Sequence, residues 1–164
     1  MTNPLKTLFA EDLALLLARV PLGAYFAMAG YSKVFTIGAK AFAEKNAAMW
    51  PTVLPAELGT VYLTALPFVE LLAGLMLIFG LFGRLAGGLV FLMLLSIIIA
   101  VGTSANPDPN AFVAFFKDPA TPNRPFHANF IFLGAALVVT VMGSGGFSVD
   151  RFLFRGAGKP AGGK

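Results

Sequence analysis

The chain has 164 residues, 57% of them hydrophobic and 12% charged, where an ordinary soluble domain carries about 25% charged residues. So little charge cannot cover so much apolar surface in water, which excludes a soluble fold and predicts an integral membrane protein of one domain. The lack of cysteine excludes disulfide exchange, thiolate metal sites and iron–sulfur clusters carried by this chain; one histidine excludes a bis-histidine haem within one copy; and a net charge of +4 with dispersed cations points to anionic lipid heads rather than nucleic acid.

A spanning helix needs about 20 apolar residues, and four stretches qualify in an all-α, four-helix membrane bundle. The first covers 13–34, "LALLLARVPLGAYFAMAGYSKV". Its "AMAG" mimics a signal-peptide cleavage site, but Arg19 interrupts the apolar run, so the span is expected to be retained. Lys33 at its outer end reads as a snorkelling anchor. In the loop that follows, "KAFAEKNAAMWP" (40–51) places Phe42, Met49 and Trp50 on one helical side and predicts a short interfacial helix. It either caps the bundle or meets a partner.

The second span covers 61–81 and holds Tyr62, Pro67 and Glu70; Tyr62 and Trp50 read most simply as belt aromatics. A tight turn at 82–85, with Arg84, leads to the third span at 86–105, where Ser96 and Thr103 share a face. Beyond it, "NAFVAFFKD" (110–118) groups three phenylalanines behind Asn110 and predicts a second interfacial helix. His127 sits at the outer mouth of the fourth span, 128–143, and is the only side chain with a reference pKa near neutrality. In that short span Asn129, Ala136, Thr140 and Gly143 lie near one face. Serines and threonines in spans commonly bond their own backbone. Residues 144–164 form a juxtamembrane turn capped by Ser148 and a flexible glycine-rich tail. An even number of spans puts both termini on one side. The cationic turn and tail make that side the cytoplasm, in a bacterial or archaeal inner membrane.

Glu70 in the second span and Arg19 in the first are the main puzzle. The stripes Arg19, Gly23, Ala27, Gly30 and Tyr62, Leu66, Glu70, Gly74 place both charges on inward faces beside small residues. Small residues let helices approach closely, so the expected contact is an Arg19–Glu70 ion pair. A lone mid-span charge costs about 2.5–3.5 kcal/mol, close to the ~3.7 kcal/mol for protonating a glutamate at pH 7 from its reference value of about 4.3. A structural pair and a ligand- or proton-handling site, with Tyr62 beside it, therefore both stay open. His127, Asn129, Lys33 and Ser96 are secondary candidates, and no metal site is expected.

The ordered set of "LLLARVPLGAYFAMAGYSKV", "VELLAGLMLIFGLFGRLAGGLVFLMLLSI" and "FIFLGAALVVTVMGSGGFSVDRFL" resembles the DoxX family over residues 13–154; the long proline-rich loop at 104–126 departs from it. The resemblance implies a compact four-helix membrane protein of the kind found with membrane redox systems, among them a quinone-reducing thiosulfate oxidoreductase and a complex of detoxifying enzymes. It marks Arg19, Lys33, Glu70, Arg84, Ser148 and Asp150 as recurrent positions without an agreed catalytic role. The resulting expectation is a subunit of a quinone-linked oxidoreductase or respiratory-type complex, without activity alone, that anchors other membrane subunits or self-associates in the bilayer and contributes to a quinone pocket. A small proton-coupled transporter and a purely structural accessory subunit are the competing readings.

Overall fold

The computed structural model describes residues 4–51, 54–103 and 125–154. Every regular element among them is helical: α1 (Pro4–Tyr31), a π-wound stretch (Ser32–Gly38), α2 (Ala39–Asn46), a single 3₁₀ turn (Ala47–Met49), α3 (Ala56–Phe79), α4 (Gly83–Thr103), α5 (Pro125–Met142) and α6 (Val149–Phe154). α1 packs on α3, α3 on α4, α4 on α5, and α5 back on α1, closing a four-helix ring. α1 begins, α3 turns into α4, and α5 ends at one end of the ring, the termini end; the opposite end is the loop end.

The stretches Leu8–Asn46, Ala56–Phe79 and Gly83–Ala100 are long and apolar enough to cross a membrane. α5 is apolar too, with 18 residues, or about 27 Å of helix. Its span was expected to be short for the same reason. The first helix departs most from expectation. It starts at Pro4 rather than near 13, and the helical stretch runs on to Asn46 through the π-wound segment. The predicted interfacial helix at 40–51 exists as α2 and the 3₁₀ turn, but it continues the first span and packs on α3. The one predicted at 110–118 lies outside the described residues, as does the tail beyond 154.

The bundle has the polarity of a membrane protein. Leu22, Phe26, Leu66, Leu77, Val90, Leu94 and Val139 pack inside, while Leu17, Met28, Leu72, Leu92 and Ile131 face outward. In water such an apolar exterior would drive aggregation; in lipid it is the solvated face. The charged side chains buried among the described residues are Arg19 and Glu70, at 1% and 2% exposure.

The α1–α3 seam sets the register. A Cβ on Gly23 would come 2.7 Å from the Gly74 carbonyl oxygen, one on Gly74 would collide with the Ala27 backbone nitrogen, and one on Gly30 would come 2.7 Å from the Pro67 carbonyl oxygen. Backbone meets backbone along two helical turns, as the small-residue stripes predict. At the termini end α3 stops in a Schellman motif: Gly80 takes φ 68°, its N–H reaches Leu77 O at 3.2 Å, and Leu81 N–H reaches Met76 O at 2.8 Å.

Gly74→Ala is therefore expected to cost about 3 kcal/mol by overpacking, read as a lower thermal midpoint in detergent. Gly134→Ala, whose Cβ meets no described atom within 4 Å, should match the wild type or gain up to about 1 kcal/mol of helix propensity.

Candidate functional site

The expected Arg19–Glu70 pair does not form. Gly30 lies against Pro67 and Leu71, so Glu70 is level with Gly30 on α1, whereas Arg19 is level with Leu77 and Ile78 on α3. About 11–16 Å of helix separates the two charges. The expectation fails because it measured depth from assumed membrane edges, while the glycine seam fixes the real register.

Glu70 pairs with Lys33 instead. Lys33 Nζ donates to both carboxylate oxygens at 2.6 Å. The lysine sits on the π-wound stretch, one turn beyond Gly30, so the close approach at Gly30 carries it over Glu70. π-wound segments often mark functional positions. Its ammonium also lies 5.0 Å from the Phe42 ring centroid, within cation–π range. Lys33 is thus no snorkelling anchor but the counter-charge of Glu70, with 24% of its side chain exposed against 2% for the carboxylate.

A cavity of about 290 Å³ opens beside this pair in the loop-end half of the bundle. Lys33 and Glu70 line it together with Tyr25 and Phe26 of α1, Phe42 and Asn46 of α2, Tyr62 and Leu66 of α3, Ile97 of α4, Asn129 of α5, and Trp50 just after the 3₁₀ turn. Tyr25 stacks on Phe132 at 4.5 Å and Trp50 on Tyr62 at 5.7 Å. Gly59 admits the indole: a Cβ there would come 2.7 Å from Trp50 Cγ. The Trp50 Nε1–H is bonded to Pro55 O at 3.0 Å. Tyr62 and Trp50 are therefore chamber walls rather than belt aromatics, and α2 closes the loop end of the bundle.

Of the expected site residues, Glu70, Tyr62, Lys33 and Asn129 meet in this chamber. Ser96 stands behind it, hydrogen-bonded to the Tyr62 hydroxyl and donating to Met93 O at 2.6 Å. His127 falls in the first turn of α5, and its side chain lies outside the described residues. Thr140 bonds its own backbone at Ala136 O, 2.7 Å, as expected of a span threonine. The chamber residues missed from sequence include Tyr25, Phe26, Phe42, Asn46 and Trp50. The available signal was Gly30-Tyr31-Ser32-Lys33, since a glycine in the seam one turn before a lysine points that lysine at the facing helix.

Arg19 belongs to a separate polar lock at the termini end. Its guanidinium donates to Leu77 O at 2.6 Å, Ile78 O at 3.0 Å and Phe147 O, capping the carbonyls of the last α3 turn and tying them to the chain beyond α5. Asp150 accepts from Phe82 N at 2.7 Å, Gly83 N at 3.0 Å and Ser144 Oγ at 2.7 Å. Asp12 accepts from Gly146 N at 2.5 Å and pairs with Arg151 at 3.1 Å. Ser148 caps α6, accepting from Arg151 N at 3.3 Å. Burial alone would push the Asp150 carboxyl up, but the Ser144 hydroxyl, the two amides and the Arg19 charge together hold it below the ordinary carboxylate value.

The DoxX family model matches residues 14–103. No curated protein and no solved structure matches the chain.

Two outcomes follow from these geometries. Lys33→Met strands a fully buried carboxylate and should cost about 3–5 kcal/mol. Glu70→Gln leaves a lysine that can turn outward and should cost about 1–2 kcal/mol. The double variant should be more stable than the sum of the two losses, as a double-mutant cycle by thermal unfolding would read. Asp150→Asn should cost about 1–3 kcal/mol near neutral pH. Because the folded carboxyl is held low, its contribution is complete above the unfolded value of about 4 and fades as pH falls towards the folded one; stability measured against pH should show wild type and variant converging in acid.

Proposed function

The chain belongs to the DoxX family of membrane proteins, and from the chamber in its loop-end half we propose that it is a membrane subunit of a quinone-linked oxidoreductase assembly, one that holds a quinone-type head group and stabilises its partners. One observation carries the reading: aromatic walls and a partly buried, net-neutral ion pair line the same cavity. A substituted ring bearing carbonyl or hydroxyl groups requires both, an apolar slot for its faces and fixed polar atoms for its edge. The volume of about 290 Å³ lies at the small end of ligand pockets, which suits one ring better than a fused or charged ligand.

The residues present fit such a group. A quinone, when bound, supplies the capacity to carry electrons together with protons. Lys33 commits two of its three N–H bonds to Glu70 and keeps one for a ring oxygen. Glu70 cancels the lysine charge, so the chamber favours a neutral ring over an anion. Tyr25, Phe26, Phe42 and Trp50 surround the polar end with apolar surface, which strengthens each hydrogen bond made there. We place the chamber towards the outer face of a bacterial or archaeal inner membrane, with both termini in the cytoplasm. The exposed Arg84 and Arg151 at the termini end support this orientation.

Gentle detergent extraction followed by analysis of bound lipophiles should recover a quinone and stoichiometric partner proteins. Lys33→Met and Glu70→Gln should each lower quinone occupancy of the folded protein by about ten-fold, the equivalent of 1.4 kcal/mol. Arg19→Lys should lower stability but leave the occupancy of the folded fraction unchanged. A wild-type preparation free of quinone, or Glu70-dependent solute flux in proteoliposomes, overturns the reading, and the latter would favour a transporter.

A further inference from the structure

The hydrogens around Tyr62 can be assigned from their partners. Ser96 has one hydroxyl proton, and it donates to the Met93 carbonyl oxygen at 2.6 Å. A carbonyl oxygen has no proton to give, so the Ser96 Oγ faces Tyr62 as an acceptor. The Tyr62 hydroxyl, hydrogen-bonded to that Oγ, must then be the donor. Its proton points away from the chamber towards α4, and its remaining lone pair is what the phenolic oxygen can offer a guest.

The other polar groups of the chamber are either fixed or neutral in this respect. The third Lys33 N–H is a fixed donor, and the Glu70 oxygens are acceptors. The Trp50 N–H is committed to Pro55 O. Asn46 donates one amide N–H to Phe42 O at 2.7 Å and keeps both a second N–H and its oxygen, and Tyr25 and Asn129 likewise can present either a proton or a lone pair, so the three do not discriminate between guests. A fully oxidised quinone has carbonyl oxygens alone and accepts at both edges; facing the Tyr62 oxygen, it sets lone pair against lone pair. A hydroquinone has two O–H groups, one of which can donate to Tyr62 while the oxygen of the other accepts from Lys33.

Resting on the quinone-type reading of the chamber, we propose that the Met93–Ser96–Tyr62 chain fixes Tyr62 as a hydrogen-bond acceptor, and that the chamber therefore binds the hydroxyl-bearing, reduced ring in preference to the oxidised one. Ser96 is a positioning residue here: it lies outside the cavity lining and acts by deciding which way the Tyr62 proton points. Nothing is transferred in this step. The claim concerns which redox form of a ring the resting chamber holds.

The test is anaerobic titration calorimetry of the full chain in detergent with duroquinone and durohydroquinone, two rings of one shape that differ in their protons. The wild type should bind durohydroquinone about 3- to 10-fold more tightly, the ratio that one hydrogen bond is worth. Ser96→Ala frees the Tyr62 hydroxyl to turn inward and should lower the ratio by several-fold. Ser96→Thr keeps the relay and should keep the preference, while Tyr62→Phe removes this acceptor and should lower the preference to what the Glu70 oxygens alone give. Equal affinity for both rings in the wild type, or a preference that Ser96→Ala leaves intact, overturns the assignment and spares the wider reading. Failure of both rings to bind overturns this inference together with the proposed function.

Discussion

The seam between α1 and α3 is the constraint on which the other features depend. Gly23, Gly30 and Gly74 bring the two backbones into direct contact, and a rigid rod fixed at three heights has no freedom to slide. Every long side chain beyond the seam then has a determined reach. Arg19 arrives at the end of α3, and Lys33 arrives over Glu70. A shift of the seam by one turn, about 5.4 Å, would leave both charges buried without partners.

The two buried charges are accommodated in different ways. Arg19 meets backbone carbonyls that a helix end leaves without donors, so it closes a structural gap and binds the exit segment to the bundle. Glu70 meets another charge, in a wall of the chamber rather than in solid packing. The first arrangement gives stability and is spent on the backbone of the bundle itself. The second keeps a free lysine proton and carboxylate lone pairs beside an open volume. Burial of a charge alone does not tell the two cases apart; the partner and the adjacent space do.

The four-helix membrane architecture was legible because it follows from quantities that add up along the chain: apolar run length, charge scarcity and the spacing of small residues. The inward stripes were legible too, since Gly23, Ala27, Gly30 and Gly74 share faces at helical spacing and do form the seam. The inward burial of Glu70 was legible from the cost of exposing a carboxylate to lipid, and Tyr62 shares a cavity with it. The partner of Glu70 was not legible, because pairing depends on the relative height of two helices, and relative height is a tertiary quantity. Counting from presumed membrane edges misplaced it, as α1 starts at Pro4 and its winding changes character at Ser32. The roles of Phe42 and Trp50 were hidden for the same reason. As a separate amphipathic segment they read as interfacial, and only the continuation of the first helix through Gly38, at φ 87°, turns them back over the chamber.

The chain contains a single tryptophan, and it lines the chamber, stacked against Tyr62 with its indole N–H held by Pro55. All indole emission from this protein therefore originates at one wall of one cavity, with no second fluorophore of its kind to average against. The molecule carries its own optical gauge of what fills that space: an aromatic guest would have to touch the ring, and water entering or leaving would change the polarity around it.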